Sequence, residues 1–186
     1  MGAPRAEDCY TLLSGAAGGV LEHCRAVAGS SATVWQRHYG FLATRIGQEW
    51  VEREPALQAV DRLCPIAQMG ILQMPDHSVY QWHRDQHRQA CINMLLSGEH
   101  NSHTMFVKEV GTQSMECIEL CYEPGRYYLF NNQMPHSVVN LSRNRYLLSL
   151  EFEKPFTYGE LRKRAFAAGL VVPVAENASA DHQVGA

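Results

Sequence analysis

The chain has 186 residues, enough for one domain of ordinary size with a buried core. It is 46% hydrophobic and 19% charged, which excludes a disordered chain, and its longest apolar runs fall far short of the roughly 18–20 residues that span a bilayer. A net charge of −3 with no long basic run gives no electrostatic ground for nucleic-acid binding; the densest basic stretch, Glu160–Phe166, reads as a solvated helix face.

The N-terminus "MGAPRAEDCYTLL" has no basic region followed by an apolar stretch, and position 6 is Ala6 where a myristoylation pattern needs Ser or Thr. Six scattered cysteines with no CxxC then read as reduced, mostly buried thiols. The expectation is a cytoplasmic protein with no membrane segment. Cys117 and Cys121, four apart, are a weak candidate zinc half-site. Nothing in the sequence signals an oligomeric state.

Residues 1–64 read as helical. Leu12, Leu13, Val20, Leu21 and Val27 recur at roughly helical spacing before a Gly-Ser-Ser stop, with a break expected at Gly18-Gly19. "VWQRHYGFLATRIGQEWVERE" and "PALQAVDRLC" suggest further helices, the last started by Pro55. From residue 65 to 154 the pattern changes to eight short β-branched or aromatic runs separated by Gly, Asn, Ser or Pro. Such close spacing predicts a sandwich or jelly roll, not alternating β-α units. "CYEPGRYYLF" reads as a hairpin turning at Pro124-Gly125. Residues 155–173 return to helix, opened by the capping box Thr157-x-x-Glu160 and closed by Gly169 and Pro173. Residues 174–186 are small and polar and read as a disordered tail. The fold expected is a single domain, mainly β with flanking helices, around a double-stranded β-helix.

In "SVYQWHRD", the second of these eight runs, an extended strand turns His83 and Asp85 to one face with Val79 and Gln81, and Tyr80 and Trp82 to the other. A histidine from a distant strand, His136 in "PHSV", closes a 2-His-1-carboxylate facial triad. That ligand set leaves three positions open on iron(II), as oxygenases require. Alternation in "RYLLSLEF" places Arg145, Leu147 and Ser149 on one face. A guanidinium deep in a barrel needs a partner, and a dicarboxylate such as 2-oxoglutarate pairs it bidentately, with Ser149 adding a hydrogen bond.

"YQWHRD…R…INMLL" followed by "EPGRYYLFNNQMPHSVVNLSRNRYLLSLEF" resembles the core of the iron(II)/2-oxoglutarate-dependent oxygenases, most of all the small aspartyl/asparaginyl β-hydroxylase-like branch, over about residues 70–153. The resemblance implies a cupin-like jelly roll. It implies iron on His83, Asp85 and His136, and Arg145 on the distal carboxylate of 2-oxoglutarate. It implies hydroxylation of an amino-acid-like substrate with O2 as oxidant, release of succinate and CO2, and ascorbate as reductant. Asp85 is present where some relatives of that branch lack the carboxylate, which argues against a halogenase.

Other readings stay open beside this one. Asn93 and Tyr128 are candidates for the other cosubstrate carboxylate or for core packing and strand-edge bonding, with Gln73 and Asn131 weaker candidates of the same kind. Arg88 either makes a surface ion pair or meets a substrate carboxylate. Arg143, in a turn, competes with Arg145. His83 and His87 would form a zinc pair only on a helix, and His100 and His103 read as surface or substrate-side residues. Arg84 is expected to point away from the metal, and Tyr80, Trp82, Leu95 and Phe130 to pack in the barrel or against the helices. The rival functions are hydroxylation of a peptide or protein side chain, a non-catalytic cupin-like metal-binding protein, and a cupin enzyme that needs no 2-oxoglutarate.

Overall fold

The computed structural model describes residues 5–99, 101–109 and 115–172. His100 and the expected tail 174–186 lie outside them. In chain order come a single turn α1 (Ala6–Cys9), β1 (Tyr10–Ala16), α2 (Gly19–Gly29), β2 (Gln36–His38), β3 (Phe41–Ile46), α3 (Glu49–Arg53) and α4 (Pro55–Leu63). Then follow β4 (Ile66–Met74), β5 (Ser78–His83), β6 (Ala90–Leu95), β7 (Ser102–Glu109), β8 (Met115–Leu120), β9 (Arg126–Asn131), β10 (His136–Asn140), β11 (Arg145–Phe152) and α5 (Tyr158–Ala167).

Two antiparallel sheets face each other. The larger has the order β1-β9-β6-β11-β4-β3-β2 and the smaller β5-β10-β7-β8. The eight strands β4–β11 pass back and forth between the sheets, which is the double-stranded β-helix expected from residues 65–154. Among the described residues no helix is long and apolar enough to cross a membrane.

The alternation of β11 shows how the layers form. Leu148 and Leu150 point outward into a core shared with Val20 and Cys24 of α2, Leu57 and Val60 of α4, and Leu161 and Ala165 of α5. Arg145, Leu147, Ser149 and Glu151 point the other way, into a cavity between the sheets. Burial on both faces explains why this strand reads as an almost continuous apolar run. A second apolar cluster, Cys9, Cys91, Phe106, Leu120, Tyr128 and Phe130, fills the rest of the space between the sheets.

Three sequence expectations are corrected. Residues 1–64 are not all helical: β1 and the β2–β3 pair extend the large sheet at its two edges. Leu13 is buried because β1 alternates, and Gly18-Gly19 mark the switch from strand to α2. These short strands carry mixed polar and apolar residues, so their neighbours β9 and β4 decide their conformation more than their own propensity does. The helix expected over residues 155–173 ends at Ala167; Gly169 turns the chain at φ +70°, and Val171 bridges Leu13. Finally, Pro124-Gly125 do form a tight turn, closed by Arg126 N–H donating to the Glu123 carbonyl, with Gly125 at φ +77°. It does not make a hairpin: β8 belongs to the small sheet and β9 to the large one, so the turn carries the chain across the barrel.

Candidate metal centre

β5 and β10 lie side by side in the small sheet, and His83 and His136 are register partners. The next pair is Val138 with Tyr80, so Gln81 and Trp82 of β5 oppose the single Ser137 of β10. This bulge breaks the alternation expected across "SVYQWH". Tyr80 turns to the same side as His83, their ring centroids 4.3 Å apart, while Val79 and Trp82 are 60% and 47% exposed. Asp85 lies beyond the end of β5, in a loop held to the β9–β10 turn by its N–H donating to the Asn132 carbonyl at 3.0 Å.

His83, Asp85 and His136 converge, each offering one ligand atom with all three within 4.8 Å of one another. They are the one such group of three or more found among the described residues. Asp85 Oδ1 stands 3.4 Å from His83 Nε2 and 3.8 Å from His136 Nε2. His83 Nδ1 is 2.7 Å from the Gln81 carbonyl and His136 Nδ1 is 2.9 Å from the Met134 carbonyl. A carbonyl only accepts, so both Nδ1 atoms carry the proton and both Nε2 atoms turn a lone pair inward. Burial lowers the His136 pKa to about 4, which keeps that imidazole neutral near pH 7. Two imidazole lone pairs and a carboxylate oxygen thus face one another. A cation resolves that arrangement, and perpendicular ligands at roughly 2.1 Å from one ion sit about 3 Å apart, close to the spacing found. The donor set fits iron(II).

The other Asp85 oxygen is taken. Oδ2 accepts hydrogen bonds from Arg88 Nε at 2.9 Å and Asn132 Nδ2 at 2.7 Å, and Arg88 Nη2 stands in an ion pair with it at 2.9 Å. Arg88 Nη1 also reaches Ser149 Oγ at 3.3 Å and Glu151 Oε1 at 3.4 Å. Arg88 is therefore ion-paired, one of the two readings left open, but in the cavity wall and not on the outer surface.

The cavity has a volume of about 730 Å³ and runs from the three ligands to Arg145. Arg145 is 3% exposed and reaches across the barrel to donate from Nη2 to Thr104 Oγ1 of β7 at 3.2 Å. Its guanidinium lies 5.5 Å from the Tyr122 ring centroid. Its Nε has no partner, and among the described residues no carboxylate pairs with it. Burial pushes its pKa down. Ser149 and Asn93 line the same cavity as register partners on β11 and β6.

Tyr128 does not line it. Its hydroxyl accepts from the Glu123 N–H at 3.1 Å, and Tyr122 packs on it edge to face at 4.9 Å. Tyr122 thus holds the place between Tyr128 and Arg145, and it lines the cavity together with Asn93. The turn that crosses between the sheets puts it there, and a hairpin reading hides that. Thr104 was legible by alternation with buried Phe106, whereas Asn132 sits in a turn with no pattern to reveal it.

Arg143 lies in a surface turn, 3.5 Å from Glu99, far more exposed than Arg145. His87 and Arg84 stand at the cavity mouth, and the chain from Arg84 to Gln89 is not helical, which removes the zinc pair. His103 pairs with Glu119 at 2.7 Å on the exposed side of the small sheet. Gln73 lies outside the cavity lining, and Asn131 instead donates to the Asp8 carbonyl. Cys117 and Cys121 are exposed free thiols, the other four cysteines are buried, and among the described residues no cluster of potential metal ligands includes the pair.

No protein-family model matches the chain, and no curated protein matches it. Solved structures do. A prolyl-4-hydroxylase from Pseudomonas putida has a TM-score of 0.55 at 14% identity, over 77% of this chain and 91% of that one. A prolyl hydroxylase from Trichoplax adhaerens, in complex with a hypoxia-inducible-factor peptide fragment, has 0.54 at 14%, over 83% and 86%. The non-haem α-ketoglutarate-dependent epimerase SnoN of nogalamycin biosynthesis has 0.52 at 11%, over 78% of each chain. At such identities the likeness establishes a shared fold. None of the three is an aspartyl/asparaginyl β-hydroxylase, so that finer resemblance rests on the sequence motifs alone.

Proposed function

We propose that the protein is an iron(II)- and 2-oxoglutarate-dependent dioxygenase that hydroxylates an unactivated C–H bond of an amino-acid-like small molecule. The observation that carries this reading is Arg145: a buried guanidinium without a carboxylate partner, lining the cavity that also holds the three ligands. A charge kept there costs stability unless something pairs with it, and a small dicarboxylate entering the cavity does so. The fold shared with prolyl hydroxylases and SnoN agrees with it.

His83, Asp85 and His136 would hold the metal through Nε2, Oδ1 and Nε2. Iron(II), with 2-oxoglutarate and O2, supplies oxidative decarboxylation to succinate and CO2 and transfer of one oxygen atom to the substrate; ascorbate would keep it reduced. Arg145 and Thr104 would anchor the distal carboxylate, with Ser149, Asn93 and Tyr122 as polar neighbours along the wall. Phe130 and Leu147 give that wall an apolar part that limits water. Carbonyl contacts at Gln81 and Met134 fix both imidazole planes.

The test is succinate formation from 2-oxoglutarate, in air and without oxygen, by wild type and Asp85→Ala. Oxygen- and iron-dependent succinate from wild type alone supports the reading. Equal signals in every sample defeat it.

A peptide substrate is a second reading, favoured by one feature. The mouth exposes Tyr39 (79%), Val79 (60%) and Trp82 (47%), an apolar rim larger than a free amino acid covers. Faster succinate release with short peptides than with the matching amino acids would select it.

A further inference from the structure

We propose that Arg88 and Asn132 hold Asp85 to ligation through a single oxygen, and so keep a third coordination position open on the metal. This rests on the metal-centre reading above. A carboxylate can bind a cation through one oxygen or through both, and the second mode occupies a position that a chelating cosubstrate or dioxygen would need. In this cavity Oδ1 faces the two imidazoles, while Oδ2 accepts hydrogen bonds from Arg88 Nε and Asn132 Nδ2 and is ion-paired with Arg88 Nη2. Turning Oδ2 onto the ion would break two hydrogen bonds, the one from the guanidinium charge-assisted, together with that ion pair. It would also leave Arg88 with only Ser149 and Glu151.

The clamp is itself braced. Gln133 Nε2 donates to the backbone carbonyls of Asp85 at 3.0 Å and of Arg88 at 2.9 Å. Asp85 N–H donates in turn to the Asn132 carbonyl. Residues 132 and 133 stand in the turn that leads directly into His136 at the start of β10. One turn therefore sets the position of His136 and the orientation of the Asp85 carboxylate together. Arg88 and Asn132 are positioning residues on this account: they act on the metal through Asp85.

Cobalt(II) serves as the probe, added without oxygen to metal-free wild type, Arg88→Gln, Arg88→Lys and Asn132→Leu, each checked for native near-ultraviolet circular dichroism. Infrared difference spectra with 13C-labelled aspartate read whether one or both oxygens bind. Oxalate, a small chelating dianion, reads the positions left open. Wild type should show the one-oxygen signature. Arg88→Gln and Asn132→Leu should shift toward the two-oxygen signature and bind oxalate about tenfold more weakly, within the usual range for residues that orient a ligand. Asn132→Leu removes a donor without changing charge, so its loss is not a change in long-range attraction for oxalate. Arg88→Lys restores a charged donor and should recover most of the wild-type signature. Unchanged infrared and oxalate behaviour in folded Arg88→Gln and Asn132→Leu overturns the clamp while leaving the metal centre standing. Wild type that takes up no cobalt(II) overturns both.

Discussion

His83 and His136 face each other as register partners on neighbouring antiparallel strands, with ring centroids 4.2 Å apart. Two candidate ligands far apart in sequence are thus placed by backbone pairing. On the metal-centre reading, replacing either removes one of the three candidate ligands found among the described residues. His136→Ala should weaken cobalt(II) or iron(II) binding by at least a hundredfold, read by metal content after gel filtration. A chelator should strip wild type, and iron(II) but not zinc(II) should restore succinate formation. Retention of one metal per chain in folded His136→Ala would show that the ligands lie elsewhere.

Arg145 links function to a stability cost. Its guanidinium is buried, with a hydrogen bond from Nη2 to Thr104 and the Tyr122 ring beside it, but no opposing charge among the described residues. Arg145→Met should stabilise the ligand-free protein, on the order of 1–3 kcal/mol, because an apolar side chain of similar length removes an uncompensated charge. The same variant should lose the stabilisation that 2-oxoglutarate gives wild type, about 2.7 kcal/mol at a hundredfold excess over Kd. Thermal denaturation with and without 2-oxoglutarate separates the two effects. A lower melting temperature with the 2-oxoglutarate shift intact would contradict both.

The β2–β3 hairpin touches the metal site through Gly40. A Cβ there would lie 2.6 Å from Tyr80 Cδ2 and 2.7 Å from Cε2. The Tyr80 ring touches Phe41 at 4.5 Å and His83 at 4.3 Å, so displacing it disturbs His83. Gly40→Ala should cost about 1–3 kcal/mol through overpacking and loosen metal binding through His83. Adding Tyr80→Leu should recover part of both losses, a coupling that a double-mutant cycle measures. Additive effects would mean that the hairpin and the site are independent.

How much of this was legible depends on regularity. β11 alternates without a break, so Arg145 and Ser149 could be placed facing a cavity from sequence, and the eight core strands stood out as short apolar runs between turn residues. β5 carries a bulge that no residue type announces, and the sides assigned to Tyr80 and Val79 were reversed. Tyr122 and Asn132 act from a crossover and a turn, where no periodicity exists to read. Arg88 was visible as a charge near the ligands, but its partners Ser149 and Glu151 lie on a distant strand. Only tertiary structure brings those together.

The capping box at Thr157 gives the last expectation, one of pH. Glu160 Oε2 accepts from the Thr157 hydroxyl at 2.7 Å and from its N–H at 2.9 Å, while Thr157 Oγ1 accepts from Glu160 N–H at 3.2 Å. These hydrogen bonds favour the ionised carboxylate and lower its pKa from the ordinary value of 4.5, the hydroxyl contact being the largest cause. With the folded pKa below the unfolded one, the unfolded chain binds more protons between the two. The stabilisation is therefore complete above about pH 4.5 and lost as pH falls through the folded pKa. α5 packs Tyr158, Leu161 and Ala165 into the outer core, so fraying of its first turn should lower the melting temperature of the whole fold. Glu160→Gln, which keeps the shape but not the charge, should be less stable than wild type at pH 7 and approach it as pH falls through the lowered pKa of Glu160. Thr157→Ala should cost about 1 kcal/mol at pH 7 through the lost cap. Parallel melting curves for wild type and Glu160→Gln, with a constant gap from pH 3 to 7, would show that the ionised carboxylate contributes nothing to the cap.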